Sequence, residues 1–222
     1  MQYQLNIDID QNGLTSIYNA GQVVTLVKSV VSAPLGGGNL PIAWVTFQPF
    51  LSNSVSWIEN YNLYATTTTL QAGATIRQTS VTGVPVMTGW TYTFDKGQFT
   101  GAQGGGAGTY NMTNQQHGMF SFGLSQEAIV NNVTVNAPLN AIPVLFNEAA
   151  TFTPEEKVSI FLTNVLNNGV VLSQVASNAL SITLTSQSPT ANIGFNDATN
   201  VFFQESAKLQ DSFSLVRKLG RF

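Results

Sequence analysis

The clearest chemical spacing in the chain belongs to three oxygen-bearing side chains close to its start. Asp8, Asp10 and Asn12 alternate just before Gly13. Hard oxygen ligands at alternate positions, followed by a glycine at a sharp turn, are typical of the opening of a calcium-binding loop. The same register places Asn19 where such a loop has a bidentate glutamate, which would weaken the site. Two interpretations remain open: a calcium loop, or a strand end whose Asn-Gly pair makes a tight turn.

A second candidate site is a set of aromatic side chains at alternating positions. Trp90, Tyr92 and Phe94 fall on one face of a predicted strand, and Asp95 follows them. Stacking on aromatic rings, combined with directed hydrogen bonds, is a common way to bind a neutral sugar or a lipid headgroup. We predict ligand contacts from Trp90, Tyr92 and Asp95, with Tyr64 added from the same aromatic-rich half of the chain. The alternative interpretation is that these rings pack in the core.

The sequence offers little for catalysis. His117 is the only histidine and there are no cysteines, which excludes a cysteine nucleophile and the common zinc ligand sets. A Ser-His-acid triad would have to use His117, which lies in a polar segment without a nucleophile-elbow motif. These absences favour a non-enzymatic protein.

Charged residues are scarce, and this limits the classes of partner. Only 9% of residues are charged and the net charge is −3. Nucleic-acid binding depends on Lys and Arg to neutralise phosphates, so the composition argues against it. A polar but nearly uncharged surface is better suited to neutral polar partners such as sugars.

Alternation of apolar and polar residues with a period of two dominates the chain and predicts β-strands. It begins with Tyr3, Leu5 and Ile7 and recurs at intervals typical of a sandwich. A short helix is predicted over residues 12–20, where Gly21 provides a C-terminal stop. The predicted fold class is therefore all-β, an antiparallel β-sandwich.

Similar segments recur in the same order about 105 residues apart, which indicates a tandem duplication. The matched pairs are residues 31–35 with 135–139, 40–42 with 142–144, 46–49 with 151–154, and 55–57 with 158–160. We predict two pseudo-repeats, over residues 1–103 and 119–203, joined by a Gly/Asn/Gln-rich linker or loop over residues 104–118. Two consecutive sandwiches and one larger sandwich with pseudo-twofold halves both fit this pattern.

The C-terminal segment, residues 204–222, differs from the rest of the chain. Apolar residues recur there every three or four positions, and four of the eight Lys and Arg residues lie within it. This pattern predicts a short basic amphipathic helix. Such a helix could dock on an anionic surface or a partner subunit, or pack on its own sandwich.

Taken together, these features predict a non-enzymatic binding protein that recognises a neutral glycan or a membrane headgroup, with calcium as the one candidate cofactor. The alternatives are a self-assembling structural β protein that uses its C-terminal segment and strand edges, and a pore-forming cytolysin. The composition, which is rich in Asn and Thr and free of cysteine, broadly resembles that of cytosolic lectins and cytolysins made for defence, and this resemblance assigns no residue a role. We expect a homo-oligomer, made without a secretory signal and either cytoplasmic or released by a non-classical route.

Overall fold

The computed structural model describes residues 1–34 and 40–205. In these residues the chain is mostly β-strand with one short helix. The elements, numbered in chain order, are β1 (Gln2–Asp8), α1 (Gln11–Asn19), β2 (Val23–Ala33), β3 (Ile42–Ala43), β4 (Val45–Phe47), β5 (Ser52–Ile58), β6 (Asn62–Thr66), β7 (Ser80–Val81), β8 (Trp90–Asp95), β9 (Gln98–Gln103), β10 (Tyr110–Asn114), β11 (Ser121–Val130), β12 (Val133–Pro138), β13 (Ile142–Pro143), β14 (Ala149–Thr163), β15 (Val170–Val171), β16 (Leu180–Thr183), β17 (Thr190–Asn196) and β18 (Val201–Gln204).

Two large sheets pack against each other around one core. The first sheet has the order β18-β17-β1-β5-β11-β6-β7, and β12 and β13 also pair with β11. The second has the order β4-β2-β14-β10-β8-β9, and β16 also pairs with β14. Leu5 and Leu124 of the first sheet belong to the same buried cluster as Phe152 and Ile160 of the second. The alternation seen in the sequence therefore places one face of each sheet in a shared interior.

Both sheets are mixed, so the prediction of a purely antiparallel sandwich was wrong. Strand β1 pairs with β17 in parallel, and β10 pairs with β8 in parallel, while the remaining pairs are antiparallel. Side chains alternate between the two faces in either kind of strand, so the sequence pattern does not reveal strand direction. Direction depends on how the connections run, and β1 and β17 lie at opposite ends of the chain.

The structure does not show the predicted duplication. Residues 55–57 lie in β5 of the first sheet, whereas their matched segment, residues 158–160, lies in β14 of the second. Strands from both predicted units also pair with each other, as β2 does with β14 and β5 with β11. The division of the chain at residues 104–118 stays a prediction.

Residues 104–118, predicted to be a linker or loop, contain β10, which lies between β8 and β14 in the second sheet. The preceding glycines are part of the packing. The backbone N–H groups of Gly104 and Gly105 donate to the carbonyl of Gly89. A side chain at Gly105 would overlap the carbonyl of Trp90, so this close approach of two backbones requires glycine.

The helix predicted near the N-terminus is confirmed as α1. Asp10 caps it, and Gly21 follows with a φ of 62°, a conformation that favours glycine. At the other end, Gln204 closes β18, so the predicted C-terminal helix cannot start there. Its remaining residues after Glu205 lie outside the described part of the chain. Within residues 1–34 and 40–205, no helix has the length and apolar character needed to cross a bilayer.

Candidate functional site

The residues of the predicted calcium loop have other roles in the structure. The Asp10 carboxylate accepts a hydrogen bond from the backbone N–H of Gly13 at 2.7 Å and so caps α1. The Asp8 carboxylate accepts one from the Ser52 hydroxyl at 2.7 Å. Asn12 is exposed in the first turn of α1. Among the residues described, no group of three or more His, Asp or Glu side chains could hold a metal ion. Calcium binding stays a prediction.

The aromatic residues predicted to bind a ligand mostly face the core. Trp90 and Tyr92 stack with ring centroids 6.4 Å apart, but Tyr92 is buried and its hydroxyl accepts from the backbone N–H of Met87. Tyr64 is fully buried in the other sheet and donates to the carbonyl of Asn140. Asp95 is exposed on the opposite face of β8. The structure therefore does not bring these four residues together on one accessible surface, and their contact with a ligand stays a prediction.

His117 lies against an exposed aromatic ring. It stacks on Phe146 with ring centroids 3.7 Å apart. In the described part of the chain its side chain has no hydrogen bond to a carboxylate, so the geometry of a Ser-His-acid triad is not formed there.

A polar depression of about 600 Å³ lies on the outer face of the first sheet. Its floor comes from β1, β5 and β17, whose inward side chains anchor the strands in the core. Because successive side chains of a strand point to opposite faces, the polar residues between these inward side chains point outward, into the depression. The depression is lined by Asn6, Asp8, Phe50, Ser52, Asn53, Ser54, Asn131, Asn132, Asn192 and Glu205.

Strand register arranges the floor in two rows. In the first row, Asn6 of β1 lies opposite Ser54 of β5 on one side and Asn192 of β17 on the other. Glu205 extends this row, because its N–H donates to the carbonyl of Asn192. The row therefore presents a hydroxyl, two amides and a carboxylate across four adjacent backbones.

In the second row, Asp8 lies opposite Ser52 of β5 and Gly194 of β17, and Gly194 lies opposite Phe203 of β18. The Phe203 ring lies over Gly194, where any side chain would collide with it. Phe203 is 43% exposed, and Phe50, in the lining of the depression, is 58% exposed. Two accessible aromatic rings thus accompany the polar groups.

Hydrogen bonds hold the polar side chains in fixed orientations. Asn6 donates to the Asn192 amide oxygen at 2.8 Å and accepts from Gln4 at 2.6 Å. Asn131 accepts from the backbone N–H of Ser54, which docks the tip of the β11–β12 hairpin at the rim. Asn131 and its neighbour Asn132 both have positive φ, as a two-residue hairpin turn requires. This site is therefore preorganised on rigid strands.

A second unusual feature is buried between the sheets, where the Lys28 ammonium is surrounded by polar and aromatic groups. It lies 2.9 Å from both carboxylate oxygens of Glu156 and 2.9 Å from the Gln126 amide oxygen. Rings of Trp44, Trp57 and Tyr61 surround it at 5.2–5.7 Å. We call this group the lysine cage.

Glu156 reaches the lysine cage because β14 has a bulge. The register between β14 and β2 shifts between Pro154 and Val158. A β-bulge can accommodate a proline, and it changes the direction in which the neighbouring side chains point. The Glu156 carboxylate also accepts from the Trp57 indole N–H at 2.7 Å and the Tyr61 hydroxyl at 2.8 Å. Both charges are therefore paired and hydrogen-bonded, which is the condition for burying them.

Burial changes the titration of the lysine cage and of nearby tyrosines. It lowers the pKa of Lys28 from 10.5 to about 8, with Glu156 opposing the change. Burial raises the pKa of Tyr110 to about 12, and it raises the pKa of Tyr61 and Tyr64 above the ordinary value of 10.0. For Tyr61, the neighbouring Glu156 carboxylate adds to the increase.

These shifts predict a maximum of stability in mildly alkaline solution. Between pH 8 and pH 10 the unfolded chain holds a proton on Lys28 that the folded protein releases, so the free energy of unfolding should rise, by roughly 1–3 kcal/mol. Above pH 10 the tyrosines ionise in the unfolded chain first, so the free energy of unfolding should fall. Urea unfolding across this range, with tyrosinate absorbance recorded in parallel, tests both slopes. A steady decrease from pH 8 upwards would contradict the role given to Lys28.

No protein-family model, curated protein or solved structure matches this chain. The sequence did not indicate the polar depression, because its residues come from segments far apart in the chain. Only strand register brings Asn6, Ser54 and Asn192 into one row.

Proposed function

We propose that this protein is a non-enzymatic binding protein whose polar depression recognises a neutral glycan. The observation that carries this proposal is the pair of rows on the first sheet. They place hydroxyl, amide and carboxylate groups on rigid strands beside two exposed phenylalanine rings. A sugar presents hydroxyl groups around an apolar ring face, so it matches both kinds of group at once.

The floor offers the acceptors and donors that sugar hydroxyl groups use. Asp8 has one oxygen engaged by Ser52, and its carboxylate can accept further hydrogen bonds from hydroxyl groups. Asn192 accepts from Asn6 through its oxygen, which leaves its NH₂ group as a donor. Carboxylate acceptors form stronger hydrogen bonds than neutral ones, so Asp8 should contribute more to affinity than the neutral side chains of the floor.

The charge of the residues that line the depression distinguishes between two possible ligands, a neutral glycan and a headgroup that bears a phosphate. Among the residues that the structure describes, those that line the depression include two carboxylates, Asp8 and Glu205, and no Lys or Arg. These two carboxylates would repel a phosphate. Of the two ligands predicted from the sequence, the geometry therefore favours the neutral glycan over an anionic lipid headgroup.

A glycan array and a liposome panel, both run with the full-length protein, test this proposal. We expect binding to a restricted set of neutral glycans, and no binding to liposomes of anionic or zwitterionic phospholipids. Runs with added calcium and with a chelator should give the same glycan profile, since the proposed site needs no metal. Binding to phospholipid liposomes without any glycan signal would refute the proposal.

A further inference from the structure

The first row of the polar depression is much longer than one sugar ring. In order, it consists of Glu205, Asn192, Asn6, Ser54 and Asn131. Asn131 belongs to the row because its backbone N–H donates to the carbonyl of Ser54. The five residues lie on five adjacent backbones, so four strand spacings give the row a length of about 19 Å. A monosaccharide is only a little wider than one strand spacing, so it would leave most of the row without a contact.

The separation of the two rows allows both to contact one sugar chain. Asn6 and Asp8 are two residues apart in β1, as are Ser54 and Ser52 in β5. A strand rises by a little over 3 Å per residue, so the two rows lie about 7 Å apart. Hydroxyl groups project from both edges of a linear sugar chain. A chain that lies between the rows can therefore form hydrogen bonds with both of them.

The two exposed aromatic rings are separated by more than one sugar unit. Phe203 belongs to β18, and Phe50 lies two residues before β5. Strands β17 and β1 lie between β18 and β5, so three strand spacings, about 14 Å, separate these two backbones. The Phe203 ring covers Gly194 of β17, which still leaves β1 between this ring and Phe50. Stacking on both rings therefore requires two different sugar units, with the Asp8 carboxylate of β1 between them.

We propose that the polar depression binds an extended chain of several neutral sugar units, which lies across the strands between the two rows. This inference rests on the function proposed above and adds the length and direction of the ligand. One unit stacks on Phe203 and another on Phe50, and the units between them form hydrogen bonds with Asn6 and Asp8. The class of ligand is therefore a linear oligosaccharide or polysaccharide, and not a single terminal sugar.

Titration calorimetry of the full chain with sugars of increasing length tests the proposal. The probes are the methyl glycoside of the neutral sugar that gives the strongest array signal and the linear oligomers of that sugar. We expect the affinity to rise by about tenfold or more from the monosaccharide to the longer oligomers, because a second stacking contact and further hydrogen bonds are added. The gain should end once the chain fills the row.

Two variants locate the stacking positions. Phe203→Ala and Phe50→Ala should each lower the affinity for the longer oligomers by about 2–10-fold. A monosaccharide occupies one stacking position, so no more than one of these variants should weaken its binding. Phe146→Ala is the matched control, because Phe146 is 38% exposed but does not line the depression, and it should leave every affinity unchanged. Circular dichroism of each variant separates loss of binding from loss of fold.

Equal affinity for the monosaccharide and the oligomers would overturn the proposal while leaving glycan binding intact. So would a gain that grows in proportion to chain length without reaching a plateau, since repeated copies of one small epitope would produce it. Long oligomers that bind equally well to the wild type and to either phenylalanine variant would also contradict it. No saturable binding of any neutral glycan would contradict the proposed function, and this inference with it.

Discussion

Replacing Glu156 with glutamine is expected to reduce the free energy of unfolding by about 3–5 kcal/mol. The variant keeps the size of the side chain but removes the charge that pairs with Lys28, whose side chain is fully buried. Without Glu156 nothing of comparable strength opposes the effect of burial on the pKa of Lys28. The protein must then hold an uncompensated buried ammonium or release its proton, and either way it loses the interaction that compensates for burial. Because single domains are stable by only about 5–15 kcal/mol, urea unfolding should show a large decrease in the midpoint.

Glu155→Gln provides a control at the neighbouring position. Glu155 is exposed and accepts only a hydrogen bond from Ser29, so its replacement should cost less than about 0.5 kcal/mol. Adding Lys28→Met to Glu156→Gln should restore part of the lost stability, because it removes the buried amine that has lost its ionic partner. If Glu156→Gln and Glu155→Gln have the same unfolding midpoint, the lysine cage does not stabilise the fold as described.

Replacing Asp8 with asparagine is expected to weaken glycan binding by about 10–100-fold. A hydrogen bond to a charged acceptor contributes about 1.5–3 kcal/mol, and the substitution removes the charge while keeping the shape. Asparagine can still accept from Ser52, so the free energy of unfolding should change little. Titration calorimetry with a glycan identified on the array measures the loss of affinity.

Asp95→Asn is the matched control and also tests the site predicted from the sequence. Asp95 is exposed at the end of β8, on the other sheet from Asp8. We expect its replacement to leave glycan affinity unchanged. The opposite result, with binding lost in Asp95→Asn and kept in Asp8→Asn, would place the ligand beside Trp90 and contradict our assignment.

The local elements of the fold could be predicted from the sequence. Apolar and polar residues alternate with the two-residue period of a strand, and this pattern correctly predicts that Leu5 and Ile7 are buried in the core. The helix near the N-terminus was recognisable from its glycine stop, and the structure adds Asp10 as its cap. These features depend on neighbours within a few positions, which a sequence displays directly.

The arrangement of the sheets could not be predicted in this way. Strand β1 pairs with β17, 186 residues further along the chain, and no local pattern indicates that partner. The polar depression has the same origin, since Asn6, Asn192 and Glu205 become neighbours only through that pairing. Segments that look like repeats, such as residues 55–57 and 158–160, lie in different sheets.

One feature of the sequence indicates the lysine cage. Lys28 interrupts an apolar run from Val23 to Val31 in a chain where only 9% of residues are charged. A charge within a buried strand needs a partner of opposite sign, so the run itself predicts a buried ion pair. The identity of that partner was not predictable, because Glu156 is turned inward by an irregularity in β14.

Mapping backbone amide chemical-shift changes during titration with a neutral glycan from the array is the most direct measurement of where the ligand binds. We predict that the largest changes fall on β1, β5 and β17 around Asn6, Asp8 and Asn192. Changes concentrated between Trp90 and Asp95, or no saturable change with any neutral glycan, would contradict the account.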